Sequence, residues 1–180
     1  MSVHLALLRG VNVGGNNLLP MRALKAIFER AGGRDVETHI QSGNVIFAAE
    51  SAPEAVAARA GAAIERDFGF KPAILCRSAA RLQAILAGNP FASGGDAAAK
   101  LYVMCLAKAP SAERLAALDP LRSAPDAFAV RGAEVYLSLA NGAGRTLLTN
   151  AWFNKALDTV STMRNWRVMT RLAALAAARG

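Results

Sequence analysis

Apolar positions follow two rhythms along this chain, and the two alternate. Val3, Leu5 and Leu7 interleave with His4, Ala6 and Leu8, both sets largely apolar, as in a central strand buried on both faces. Beyond a glycine-rich stretch, Pro20 opens a predicted helix with Met21, Leu24, Ile27 and Phe28 on one face, ended by Gly32 and Gly33. Two strands are expected next, Asp35 to Gln41 and Asn44 to Ala48, joined through Ser42 and Gly43 as a tight two-residue hairpin. Ser51-Ala-Pro-Glu54 reads as a capping box, and Val56, Ala60, Ile64 and Phe68 as the buried stripe of a second helix. Lys71 to Arg77 supplies a fourth strand, and Ser78 caps a further helix through Leu82, Ile85 and Leu86. The order β-α-β-β-α-β is the split βαβ pattern of ferredoxin-like domains.

The rhythm partly recurs further on: strand 101–107, helix 111–118, strands 128–131 and 135–139, helix 150–157, and a last helix over about 165–178. Between the halves lies Gly88-Asn-Pro-Phe-Ala-Ser-Gly-Gly-Asp96, a Gly/Pro/Ser/Asn-rich run that reads as a linker. The expected organisation is therefore α+β: a ferredoxin-like half over 1–87, a linker over 88–98, and a second, smaller α+β half with C-terminal helices over 99–180.

Composition changes that picture in three places. The hydrophobic fraction of 53% owes much to alanine, and no apolar stretch approaches the roughly 18 residues of a spanning helix, so a soluble, unexported chain with no membrane partner is expected. Cys76 and Cys105 fall in predicted strands without CxxC or Cys/His spacing, which points to buried reduced thiols and a cytoplasmic location. The net charge of +8 is uneven: residues 1–34 carry +4, residues 140–180 carry +5, and the middle carries −1. Charge concentrated at both ends attracts anions.

The candidate site follows from the topology. In a split βαβ sheet the first and third strands are neighbours, so the loop after strand one and the turn between strands two and three share an edge. That edge gathers Arg9, Gly10, Asn12, Gly14 and Gly15 from the loop with Gln41, Ser42 and Asn44 from the hairpin. Polar groups beside a helix N-terminus suit a small anion or nucleotide-like ligand. The structural alternative is that the asparagines satisfy loop backbone and the glycines permit turns. An enzyme reading uses the same cluster, with Ser42 as nucleophile or substrate anchor and Arg9 as charge stabiliser, but a base is not visible. A protein-interaction module is a further alternative, as is nucleic-acid binding, which would use Arg164, Arg167 and Arg171 as one stripe of a helix beginning near Arg164. Trp152 and Trp166, close to that stripe, read as packing residues.

Several chemistries are disfavoured. Gly10 and Gly15 have P-loop spacing, but Asn16 and Asn17 stand where lysine and a magnesium-binding hydroxyl belong. GxGxxG is absent, and the only histidines, His4 and His39, offer little to a triad or a metal site. Catalytic residues, cofactor and oligomeric state are left open, and no metal is expected.

Three ordered motifs, Leu-Leu-Arg-Gly-Val-Asn-Val-Gly-Gly-Asn-Asn, Ile-Gln-Ser-Gly-Asn-Val-Ile-Phe, and Thr-Asn-Ala-Trp-Phe-Asn-Lys-Ala-Leu followed by Thr-Met-Arg-Asn-Trp, resemble the bacterial domain-of-unknown-function family numbered 1697. The resemblance runs over nearly the full length. It implies a cytoplasmic two-part α+β protein with a ferredoxin-like N-terminal half, and it brings no reaction with it. The family pattern commonly has lysine at Asn16 and tyrosine at His39. The first departure weakens phosphate binding through a loop lysine, and the second argues against His39 as a shared catalytic group.

Overall fold

A computed structural model describes residues 1–93 and 95–179. By compactness the chain falls into two units, one of residues 1–83 with 172–179 and one of residues 84–171. The sequence-based boundaries of 1–87 and 99–180 differ in assigning the whole C-terminal stretch to the second half; Gly94, in the expected linker, lies outside the described residues.

The first unit begins with β1 (Ser2–Leu8), α1 (Met21–Arg30), β2 (Arg34–His39), β3 (Asn44–Ala49), α2 (Pro53–Phe68) and β4 (Ile74–Ser78). Its four strands form an antiparallel sheet in the order β2-β3-β1-β4. As the doubled apolar pattern requires, β1 is central and buried from Val3 to Leu8. Ala6, Leu8, Val45 and Phe47 meet Leu24, Ile27 and Phe28 of α1 and Val56, Ala60 and Ile64 of α2 in one core. Val11 and Leu19 join that core and anchor both arms of the loop after β1.

Helix α3 (Ala79–Ala87) follows β4, with Ser78 Oγ accepting from Arg81 N at 3.1 Å, the cap expected of Ser78. A 3-10 turn over Gly95–Lys100 leads to β5 (Leu101–Leu106), α4 (Ala112–Ala116), β6 (Ala127–Arg131), β7 (Glu134–Ser138), α5 (Asn150–Leu157), β8 (Ser161–Asn165) and α6 (Trp166–Ala177). The second sheet is antiparallel in the order β6-β7-β5-β8, the same connectivity as the first. Met104, Leu106, Val135, Leu137, Phe153 and Leu157 fill its core. The fold is α+β, with each half β-α-β-β-α-β.

Four expectations need correction. Ser51 and Glu54 form no capping box: Ala52 occupies the N-cap without a side-chain hydrogen bond, because Pro53 takes the first helical position and shifts the frame by one. The stripe of α2 is buried at Val56, Ala60 and Ile64, whereas Phe68 at its last position is exposed. The β2–β3 connection spans four residues, 40–43, because His39 already pairs with Asn44. Gly43 turns instead toward β1, where its carbonyl accepts from Leu8 N at 2.8 Å. A Cβ at Gly43 would lie 2.8 Å from Leu8 Cβ, and its φ is +73°, so only glycine fits this approach. Finally, the last helix starts at Trp166 and is preceded by β8, a strand the apolar pattern does not reveal.

Candidate functional site

The loop between β1 and α1 folds back on itself as a small finger. Asn12 N donates to Asn17 O at 3.1 Å and Asn16 N to Val13 O at 3.0 Å, so Gly14 and Gly15, with φ of +57° and +77°, form the reversing tip. Asn17, itself at φ +51°, closes the base through Nδ2 to Gly10 O at 2.9 Å. Asn12 braces the whole arrangement: Nδ2 donates to Leu19 O and to Gln41 O, both at 2.9 Å, and Oδ1 accepts from Leu19 N at 2.8 Å. With φ at +54°, Asn12 occupies the left-handed region that asparagine tolerates better than most residues.

The turn beside the finger is equally occupied with itself. Asn44 is fully buried, and its Nδ2 donates to His39 O at 2.9 Å and to Ser42 Oγ at 3.0 Å. The loop and the hairpin are thus adjacent, linked by the Asn12–Gln41 and Leu8–Gly43 hydrogen bonds. Of the eight residues expected here, Asn12, Ser42 and Asn44 spend their side chains on the turn architecture, and Gly10, Gly14 and Gly15 supply left-handed backbone.

What faces outward is a different set. Arg9, a partly buried residue, is held at the end of β1 by N–H donation to Ala73 O at 2.9 Å, while its guanidinium makes no hydrogen bond or ion pair among the described residues. The Gln41 side chain is exposed and, like that of Arg9, unpaired among them. Around them stand Val13, Leu18 and Ile40, with 62%, 65% and 49% of their surface exposed. Ile40 has φ +50°, a conformation that a β-branched residue adopts only under strain. Sequence reasoning passes over these three, since an isolated apolar residue in a loop carries no periodic signal.

The second candidate, the basic stripe, comes apart. Arg164 lies in β8 and not on a helix, paired across to Val103 and only 8% exposed. Its Nη1 donates to Thr162 Oγ1 at 2.8 Å and to Met163 O at 2.9 Å, and burial lowers its pKa to about 10. Asn165 Oδ1 accepts from Val168 N at 2.8 Å and caps α6, which sets the helix start beyond Arg164. Arg167 and Arg171 remain on α6, both exposed. Trp152 packs against Phe128 and Phe153 with the Arg122 guanidinium 4.8 Å above its ring, the packing role expected of it.

Other chemistry is sparse. Neither Cys76 nor Cys105 is in a disulfide; Cys76 Sγ lies 3.7 Å from Pro53 O, and burial, with the Glu54 carboxylate adding, pushes this thiol up to about 12. Among the described residues no group of three or more His, Cys, Asp or Glu side chains could hold a metal ion. No helix among them is long and apolar enough to cross a membrane.

The family model described as "Protein of unknown function (DUF1697)" matches residues 1–136. The chain belongs to this family. The DUF1697 match takes in the finger, the 40–43 turn, β5, β6 and the first part of β7; the Thr149–Asn154 and Thr162–Trp166 motifs lie beyond it. No curated protein matches the chain. Among solved structures it is similar to "conserved bacterial protein SP0830 from Streptococcus pneumoniae", at a TM-score of 0.74 and 16% identity, covering 97% of this chain and 98% of that one. At that identity the likeness speaks for the fold alone, and it spans both halves of this DUF1697 chain.

Proposed function

We propose that this is a cytoplasmic binding protein whose finger and adjoining 40–43 turn receive a small anionic or nucleotide-like ligand. The observation that carries this reading is Arg9, a partly buried residue whose guanidinium makes no hydrogen bond or ion pair among the described residues, at the root of a loop braced on both sides. A guanidinium with its donors unspent presents a planar fork that suits the oxygens of an anion. The N–H groups of Gly14 and Gly15 at the finger tip also make no hydrogen bond among the described residues and add donors of the right polarity. The asparagines contribute by holding the loop in shape.

In an enzyme reading Ser42 would be the nucleophile; its Oγ accepts from the Asn44 amide, which ties the hydroxyl into the turn. A second reading, a protein-binding surface, is favoured by the exposed Val13, Leu18 and Ile40 at the same place. A thermal-shift screen of nucleotides, sugar phosphates and oligonucleotides separates the two. A ligand at 100-fold its Kd adds about 2.7 kcal/mol, a Tm rise of roughly 5–10 °C for a chain of this size, and Arg9→Ala abolishes that rise. Failure of every anion to stabilise the protein would leave the protein-binding surface as the better account.

A further inference from the structure

Helices α1 and α2 pack side by side, and a groove of about 280 Å3 opens along their contact. Its floor is apolar, built from Ile27, Ala31 and Ala63, and its walls are three arginines, Arg30, Arg59 and Arg66. A single carboxylate answers them: Asp67 accepts from Arg66 Nε at 2.7 Å and Nη2 at 3.1 Å, and lies 3.9 Å from Arg30 Nη2. Arg59 has no acidic partner among the described residues. Its Nε donates to Ala31 O at 2.8 Å, which fixes the plane of the guanidinium, and Gly32 leaves room for Nη2, 3.2 Å from where a Cβ would stand. Three cations facing one anion leave a local charge of about +2.

Helix C-termini attract basic side chains, and Arg30 and Arg66 do lie in the last turns of α1 and α2. That preference does not account for Arg59, which extends from the middle of α2 with its Nη donors unspent. An arginine whose fork is oriented by a backbone carbonyl, flanked by two more, matches the several acceptor oxygens of a phosphoryl group better than the two of a carboxylate. The apolar floor adds a place for a small hydrophobic body.

We propose that the α1–α2 groove binds a small phosphomonoester, with Arg59, Arg30 and Arg66 on the phosphoryl dianion and the ester body over Ile27, Ala31 and Ala63. This site is independent of the finger. The test is calorimetric titration of the full chain with phenyl phosphate, inorganic phosphate and benzoate at constant ionic strength. The expected order of affinity is phenyl phosphate, then inorganic phosphate, then benzoate. Arg59→Gln weakens phenyl phosphate by about tenfold or more, as loss of a charge-assisted hydrogen bond does, and Asp67→Asn tightens it by removing the competing carboxylate. Arg66→Gln supplies the weakening arm should Arg59→Gln fail to fold. Arg9→Ala removes any phosphate bound at the finger and leaves the Arg59-dependent binding in place, which separates the groove from the finger. The inference is overturned if phenyl phosphate does not bind at millimolar concentration, if binding ignores both the arginine and the Asp67 substitutions, or if it is lost on Arg9→Ala.

Discussion

Replacing Asn12 removes the one side chain on which both arms of the finger and the 40–43 turn converge. Two of its hydrogen bonds, with Leu19 N and Leu19 O, are partly buried and the third, to Gln41 O, is exposed. At about 1 kcal/mol net for each partly buried bond and about half that for the exposed one, the side chain contributes roughly 2.5 kcal/mol. Alanine at φ +54° adds about 1 kcal/mol of backbone strain, giving an expected loss near 3.5 kcal/mol for Asn12→Ala. Asn12→Asp keeps the shape but sets a carboxylate against two carbonyls, which raises its folded-state pKa above the ordinary value of about 3.9; its loss should be at least as large at neutral pH and should lessen as pH falls toward about 4, where a protonated carboxyl regains one donor. Urea unfolding measures both losses, and amide exchange at Leu19, whose N–H is held by Asn12 Oδ1, reports whether the finger loosens locally before the protein unfolds. If both variants unfold within about 0.5 kcal/mol of the parent, the finger is not held by Asn12 and its rigidity has another source.

Asn44→Ala should cost about 2–3 kcal/mol, since its burial leaves His39 O without its donor, and an unchanged urea midpoint would contradict this. Ile40→Asn should be neutral or stabilising by up to about 1 kcal/mol, because asparagine tolerates the left-handed backbone that strains isoleucine; a clear loss in thermal unfolding would show that the exposed side chain packs on something. Burial lowers the His4 pKa, with the nearby Glu54 carboxylate opposing, and Nδ1 is buried without a partner while the ring hydrogen-bonds Ser2 Oγ at 2.8 Å. The neutral imidazole therefore favours the folded state above the ordinary histidine value of 6.5, and this contribution is lost as pH falls below it. Urea midpoints at pH 7.5 and 5.5 should converge when His4 is replaced by asparagine, and a pH dependence that survives the replacement would assign it elsewhere.

How far the sequence discloses this protein differs from element to element. β1 is legible because both its faces are apolar, and the adjacency of the finger to the hairpin follows from the split βαβ order alone. The hairpin length is not legible, because it depends on Gly43 meeting Leu8, a contact 35 positions away in the chain. β8 escapes notice because Ser-Thr-Met-Arg-Asn has neither alternation nor an apolar run and abuts a helix. That missed strand is also why Arg164 reads as a surface cation when it is an internal one. In the candidate site, the polar residues that draw attention in the sequence are those the fold consumes, and the unpaired Arg9 stands out only once its surroundings are known.

The return of residues 172–179 to the first unit has a consequence for the order of manufacture. There Arg179 donates to Asp35 O at 2.9 Å, pairs with Glu37, and closes a cavity shared with Val3 and Ala48. During translation at about 5–20 residues per second, the roughly 90 intervening residues take on the order of 4–18 s to appear. The first sheet, whose strands pair far faster than that, waits on the ribosome with this edge uncovered. What is born first is thus finished last, and a lesion in the final helix is felt by the N-terminal unit, at the opposite end of the message.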